Sequence, residues 1–567
     1  MKNIPQPVRL LLAFLTTFGL CVAPRIAGAA DVPAATAAEP SASPVTPLFE
    51  GMGKHKRKIT TKSPLAQRYF DQGLNFLYAF NHDEAIRSFT QAAAIDPGCA
   101  MAYWGIATAN GPHINFPLVP PDRAKAAWQA LTRARELAGT TTPVEKALIE
   151  TLGRRYADPQ PEDRKSLDEA YAAAMRDLWK RYPNDADIGA LFAEAMMDLR
   201  PWDLWTPDGK PQPGTPEVVT TLEKVLARSP YHPLALHLYI HAVEASTNPG
   251  RAAAAADRLR NVAPGLGHLV HMPSHIDVRL GKWQKNNEAN RRAIEADRKY
   301  TAKAKKPGFY RLYMAHNRHM LAFGAMMQGE SRLAREHLRA LTAEMPADWK
   351  QQNAFIADGF HAMPYELMLR FGQWEALLAE PEPPAYFPIA RALRHAARGV
   401  AYAALGKTTE ARASQAAFRE AVGKTPPTAS FGNNAATSLF AVAEPMLEGE
   451  ILFKEGKQTE ALAALRTAVA KEDQLRYSEP PDWIQPVRHA LGATLMQVGE
   501  AAEAEQVYRE DLRKWPENGW SLFGLAQSLE AQNKREEAAR VRARFAAAWK
   551  RSDVKLASSC FCQPGKH

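Results

Sequence analysis

Cysteine is scarce in this chain, four residues in 567, which excludes a fold stapled by disulfides. Long apolar runs are missing beyond the first thirty residues, and no later stretch approaches the ~20 residues needed to span a bilayer. β-Branched alternation is nearly absent, which argues against strands. Common chemical signatures are missing too. There is no phosphate-cradling Gly-x-x-x-x-Gly-Lys, no Gly-x-Ser-x-Gly elbow, no dinucleotide fingerprint and no haem-attaching Cys-x-x-Cys-His. Nor does one sign of charge dominate: 71 basic against 61 acidic residues leave +10, which permits an acidic partner without demanding one.

What is present looks like an ordinary globular composition, 46% hydrophobic and 23% charged. Single cores stop growing beyond roughly 250–300 residues, so this length implies several domains or a one-dimensional array. Alanine is abundant, and the expected fold class is all-α. Lys2 and Arg9, the apolar run Leu10 to Val22 and the small-residue site Ala27-Gly28-Ala29 read as an export signal over residues 1–30, cut after Ala29 or Ala30. A periplasmic or secreted protein without a later transmembrane segment is expected. Cys21 fits a lipoprotein signal poorly, because Leu20 stands where a small residue belongs.

Residues 31–64, rich in Ala, Pro and Ser, read as a flexible leader. The basic run Lys54-His55-Lys56-Arg57-Lys58 within it reads as solvated, and with no interleaved aromatics a nucleic-acid partner is not expected. At the other end, Cys560 and Cys562 stand too close for a relaxed loop. The tail, residues 551–567, is expected to fray, with a chelate of Cys560, Cys562 and His567 as the alternative.

Between these ends the chain repeats. Tyr69, Gly73 and Phe76 share one helical face; Ala85, Phe89 and Ala92 share the next, and Pro97 closes the unit. Tyr103 restarts the pattern 34 residues after Tyr69, and Ala504 and Ala538 are again 34 apart. Looser copies begin near Gly281-Lys282-Trp283, Gly329-Glu330, Gly406-Lys407 and Gly456-Lys457. The pattern resembles the tetratricopeptide repeat. That resemblance implies an α-solenoid of stacked helix pairs with a concave groove that holds a peptide or protein partner. We divide it into residues 65–230, a histidine-rich centre at 231–345, and 346–550.

Eight of the sixteen histidines fall between His232 and His319. In the helix expected over 233–246, His237, His241 and Glu244 share a face. Two imidazoles four apart are a recurring way to grip one metal, with the carboxylate as a further ligand or general base. His268 and His271 are expected on a loop, and His275 in the first turn of a helix opened by Pro273, where the helix dipole disfavours imidazolium. His316 and His319 follow on a third helix, 310–328. In repeat register these three are first helices of successive units, with 251–262, 284–298 and 332–342 as their partners. The preferred ligands are therefore His237, His241, His271, His275 and His316, with Glu244 as ligand or base and His232, His268 and His319 in support. Copper, iron or zinc would suit them. Met272, Met314 and Met320 would favour copper if they point inward, and Tyr231, Tyr239, Tyr310 and Tyr313 could serve a redox site; packing is the plainer reading of all seven.

Two further features stand out. Glu194 and Asp198 lie one turn apart and read as a solvated face, with a cation site or an acid–base pair as the functional alternative. Residues 110–121 insert into the second repeat and could cap the groove, with His113 as a distant contributor. Two functions from different classes remain: a metal-dependent oxidoreductase or hydrolase, and a metal-free scaffold for an envelope partner.

Overall fold

Ser63 accepts a hydrogen bond from the Ala66 N–H and Pro64 takes the first helical position, which starts the helix Pro64–Tyr78. Asn81 caps the next helix, His82–Ile95, through the Glu84 N–H. The fully buried Phe89 ring lies over two glycines. A Cβ at Gly73 or Gly105 would come within 2.7 or 2.5 Å of it. Small residues on two helices and a ring on the third thus set the repeat spacing.

The structure is a computed structural model that describes residues 46–304 and 307–563. The export signal read over residues 1–30, with Cys21, the first part of the leader (31–45), and His567 lie outside the described residues. The chain divides into residues 1–47 and a larger body from Leu48 onward, and the larger body is the subject below. From Pro64 to Ala548 it is a succession of antiparallel helices, each packed chiefly on its sequence neighbours. The fold is an all-α, tetratricopeptide-like solenoid. Among the described residues the strands are one two-residue pair, Ser430–Phe431 with Asn434–Ala435, and no helix is long and apolar enough to cross a membrane.

The central register holds. Pro233–Glu244, Pro273–Arg279 and Arg311–Met327 are followed by Ala253–Leu259, Trp283–Lys303 and Ser331–Ala343. His268 and His271 sit on a five-residue helix, Gly267–His271, and not on a loop. Two apolar cores run through the array, one over residues 59–313 and one over 278–562. They meet at the helix Arg311–Met327.

The array also curls back on itself. Trp283 donates through Nε1 to the Pro516 carbonyl (2.9 Å), and Trp520 to that of Met326 (2.8 Å). Gly281 turns at φ +69°, and a Cβ there would lie 2.5 Å from the Pro516 oxygen. The last repeats therefore press against the middle of the array, and its central chamber is the buried space that the histidine rings share.

Two segments near the limits of the described residues differ from their sequence reading. Within the leader, Lys54, Lys56 and Lys58 are exposed, but the alternate residue Arg57 is buried. Its guanidinium donates to Asp185 (2.9 Å) and Asp187 (2.8 Å), because a buried cation needs paired carboxylates. The described part of the tail, residues 551–563, ends packed and not frayed: Cys560 and Cys562 are buried and joined by a disulfide. Ser559 donates to the His489 carbonyl, and Gln563 to Glu450. Glu194 and Asp198 are not on a solvated face either. Glu194 is buried, and Asp198 accepts a hydrogen bond from the buried Arg155 at 2.6 Å.

Candidate metal centre

The helix Pro233–Glu244 presents His237, His241 and Glu244 on one face, as four- and three-residue spacing dictates. Beside it lie Gly267–His271 and Pro273–Arg279, which bring His268, His271 and His275, and then Arg311–Met327, which brings His316. Their imidazoles meet in two adjacent groups of three. In one, ligand atoms of His237, His241 and His268 lie within 4.8 Å of one another; in the other, those of His271, His275 and His316 do. The groups touch: the His241 and His275 rings are 5.4 Å apart, and those of His268 and His271 5.6 Å.

Four of these rings are anchored through Nδ1. His237 bonds the Tyr78 carbonyl oxygen at 2.9 Å, His241 bonds Glu244 Oε1 at 2.8 Å, His275 bonds Glu244 Oε2 at 2.5 Å and His271 bonds Asn290 Oδ1 at 2.7 Å. Each acceptor fixes the Nδ1–H tautomer, so each Nε2 lone pair is left facing the chamber. Nε2 of His237 and of His241 has no hydrogen-bond partner, nor has either nitrogen of His268, although all three residues are buried. Orphaned buried polar atoms are costly. The Nε2 atoms of His271 and His275 approach to 2.7 Å. Two lone pairs at that distance require a proton between them, and a metal shared at ~2.0–2.1 Å in tetrahedral geometry would set them about 3.3 Å apart.

Burial holds His237, His268, His271 and His316 well below the usual imidazole range, and His241 below it against the pull of Glu244. Neutral imidazole is the form that binds metal. His275 behaves differently. Burial opposes its charge, but the Glu244 carboxylate outweighs burial and raises it. The carboxylate in turn, against its own burial, is drawn down to about 2 by His275 and His241. A charged His275 is thus the proton-filled state of the 2.7 Å contact. The helix start at Pro273 does not decide its charge; Glu244 does.

Glu244 spends one oxygen on each imidazole, so it orients two ligands and is not free to act as a base. His232 and His319 lie elsewhere. His232 accepts from the Ala235 N–H through Nδ1 and meets Asp187 through Nε2, which commits both nitrogens in a separate group with His55. His319 faces Phe360, with ring centroids 5.6 Å apart. The 110–121 insertion reaches the neighbourhood of His241: Asn115 Oδ1 accepts from the Trp202 indole N–H, and Ile114 lines a small space with Trp202 and His241. His113, however, packs on Phe80 with ring centroids 4.9 Å apart, and it is Phe80 that meets His237, at 4.4 Å. Met272 and Met320 are buried in the apolar cores. Among the tyrosines, Tyr313 packs on His268 at 4.4 Å, while Tyr231 is exposed and Tyr239 bonds Glu223. Sequence reasoning missed the Tyr78 carbonyl and Asn290; neither carries a signal detectable by spacing.

The buried neutral histidines make a testable demand. Burial also holds His82 and His319 at about 3. As pH falls below about 6.5 the unfolded chain takes up protons that the folded chain refuses, which costs up to ~1.4 kcal/mol per histidine at one pH unit below. His275, raised in the fold, opposes this but is outnumbered. The urea midpoint of metal-free protein is expected to drop steeply between about pH 7 and pH 5. A flat midpoint would contradict the burial of these rings.

No protein-family model matches the sequence, and no curated protein does. Among solved structures, the human IFIT1 dimer with m7Gppp-AAAA aligns over 86% of this chain and 91% of its own, at 12% identity and a TM-score of 0.34. The Cut9–Hcn1 heterotetramer of the APC/C aligns over 85% and 76%, at 12% and 0.32. Yeast Tom70 aligns over 85% and 90%, at 10% and 0.27. These likenesses are too loose to transfer a function.

Proposed function

We propose that this chain is an exported tetratricopeptide-like solenoid that holds two transition-metal ions in its central chamber and serves a metal-dependent oxidoreductase or hydrolase reaction. One observation carries the reading: four imidazoles are fixed through Nδ1 so that their Nε2 atoms face the chamber, with His268 and His316 completing two groups of three. Metal-binding histidines typically donate their other N–H to a carboxylate or carbonyl in this way. Imidazole donors suit copper, iron and zinc, and three nitrogens per ion leave a position open for substrate or water. A metal there would polarise or oxidise a bound group, while Glu244 and Asn290 hold the ligand rings in place. The export part rests on the sequence of residues 1–30.

A second reading follows from the array itself: a metal-free scaffold that binds a peptide or protein partner. Tyr231 and Phe355, each 66% exposed, favour it as outward-facing aromatics. Elemental analysis of protein purified from the cell envelope separates the two. About two equivalents of copper, iron or zinc per chain support the metal reading. Protein that stays metal-free after incubation with each ion, yet captures a partner, supports the scaffold.

A further inference from the structure

A cavity of about 500 Å³ lies beside the chamber, between the 202–209 segment, residues 245–247 and the 472–483 segment. It shares Trp202, Trp205, Ala245 and Tyr477 with a space of about 20 Å³ whose far wall is His241 and Glu244. The larger volume suits a small organic molecule; the smaller holds about one water. The shared residues stand between the two spaces, and the smaller one reaches His241 and Glu244.

Aromatic rings line part of the walls: Trp202, Trp205, Tyr477, Trp483 and Trp515. Trp202 stands at the junction, its ring edge-on to His241 at 5.1 Å and its indole N–H held by Asn115. Its backbone is left-handed, φ +58°, a conformation that costs a bulky residue energy and recurs at functional sites.

The charge in the cavity is uneven. The acidic groups are occupied: Asp203 pairs with Arg200, Asp208 with Lys210 and Asp473 with Arg488. Glu472 accepts from the Val487 N–H and Asp482 from Asn434, and burial pushes both up to about 7. The cations are freer. Arg279 hydrogen-bonds the carbonyls of Glu244 and Ser246, and Arg476 reaches only that of Pro201 at 3.4 Å. Lys514 stands 3.9 Å from an Asp473 already gripped by Arg488.

We infer that this cavity binds a small aromatic carboxylate, with its ring among Trp202, Trp205 and Tyr477 and its anionic end on Arg279 and Arg476. The ligand's far end points through Trp202 toward the chamber. That last step makes it a substrate only if the metal reading above holds; the binding itself does not depend on it.

Calorimetry on the full chain, as purified and after metal loading, tests this with 4-hydroxybenzoate, its neutral amide and the cation tyramine. The carboxylate is expected to bind at least about tenfold tighter than either analogue. The Arg476→Ala variant, altered at an exposed residue, should lose about tenfold in carboxylate affinity with its circular dichroism and metal content unchanged. Equal affinity for the three probes, no binding, or an unaltered affinity in an Arg279→Gln, Arg476→Ala double variant would overturn the proposal. Metal content read on the same samples keeps the two readings apart. Metal without carboxylate binding sinks the cavity alone, and carboxylate binding by metal-free protein supports the cavity while removing the metal.

Discussion

The His241→Ala, His275→Ala double variant is expected to purify with less than about a tenth of the parent's metal. The two residues belong to different groups of three, and both are held by the same carboxylate through Nδ1. Losing both leaves each group with two imidazoles, too few to retain an ion against buffer and water. Alanine at His319 is the control, since that ring lies against Phe360, outside the chamber. Metal retained by the double variant, or lost equally in the control, would show that the ions are held elsewhere.

Glu244→Ala is expected to cost ~3–5 kcal/mol in the metal-free protein, because it strands a buried imidazolium at His275 without its partner. Metal affinity should fall by about 10- to 100-fold, the usual consequence of losing the group that orients a ligand. Glu244→Gln keeps the shape but offers one accepting oxygen to two Nδ1–H donors, so it should fall between the two. The pH dependence checks the mechanism. Glu244 is lowered in the fold, so its contribution is full above the ordinary carboxylate range of about 4.5 and is lost as pH falls toward about 2. His275 is raised, so its contribution is present below about 6.5 and disappears as pH climbs through the folded value. The Glu244→Gln deficit should therefore be larger at about pH 6 than at about pH 9. Chemical denaturation of the metal-free variants at both values measures it, and an equal deficit would dissociate Glu244 from His275.

Much of this centre could be read along the chain. Four-residue spacing places His237 and His241 on one face whatever the tertiary structure, prolines 233 and 273 mark helix starts, and repeat order makes the three first helices neighbours. What could not be read depends on how the array closes. The Tyr78 carbonyl, 159 positions before His237, and Asn290, on a second helix, meet the ligands only through packing. His232 was misplaced because a histidine that caps a helix looks, in sequence, like one free to bind. His319 was misplaced because its helix joins two cores, and one turn beyond His316 the same surface already belongs to the other core. The basic run hid a strand-like alternation that buries Arg57 and exposes its lysines.

Crystals of the metal-loaded full chain, measured at the absorption edge of whichever metal it carries, reach the central claim most directly. Two anomalous peaks are expected in the chamber, one by His237, His241 and His268 and one by His271, His275 and His316, with metal–nitrogen distances of ~2.0–2.1 Å if the metal is zinc. A chamber without a peak, its rings paired only by protons, would contradict the account.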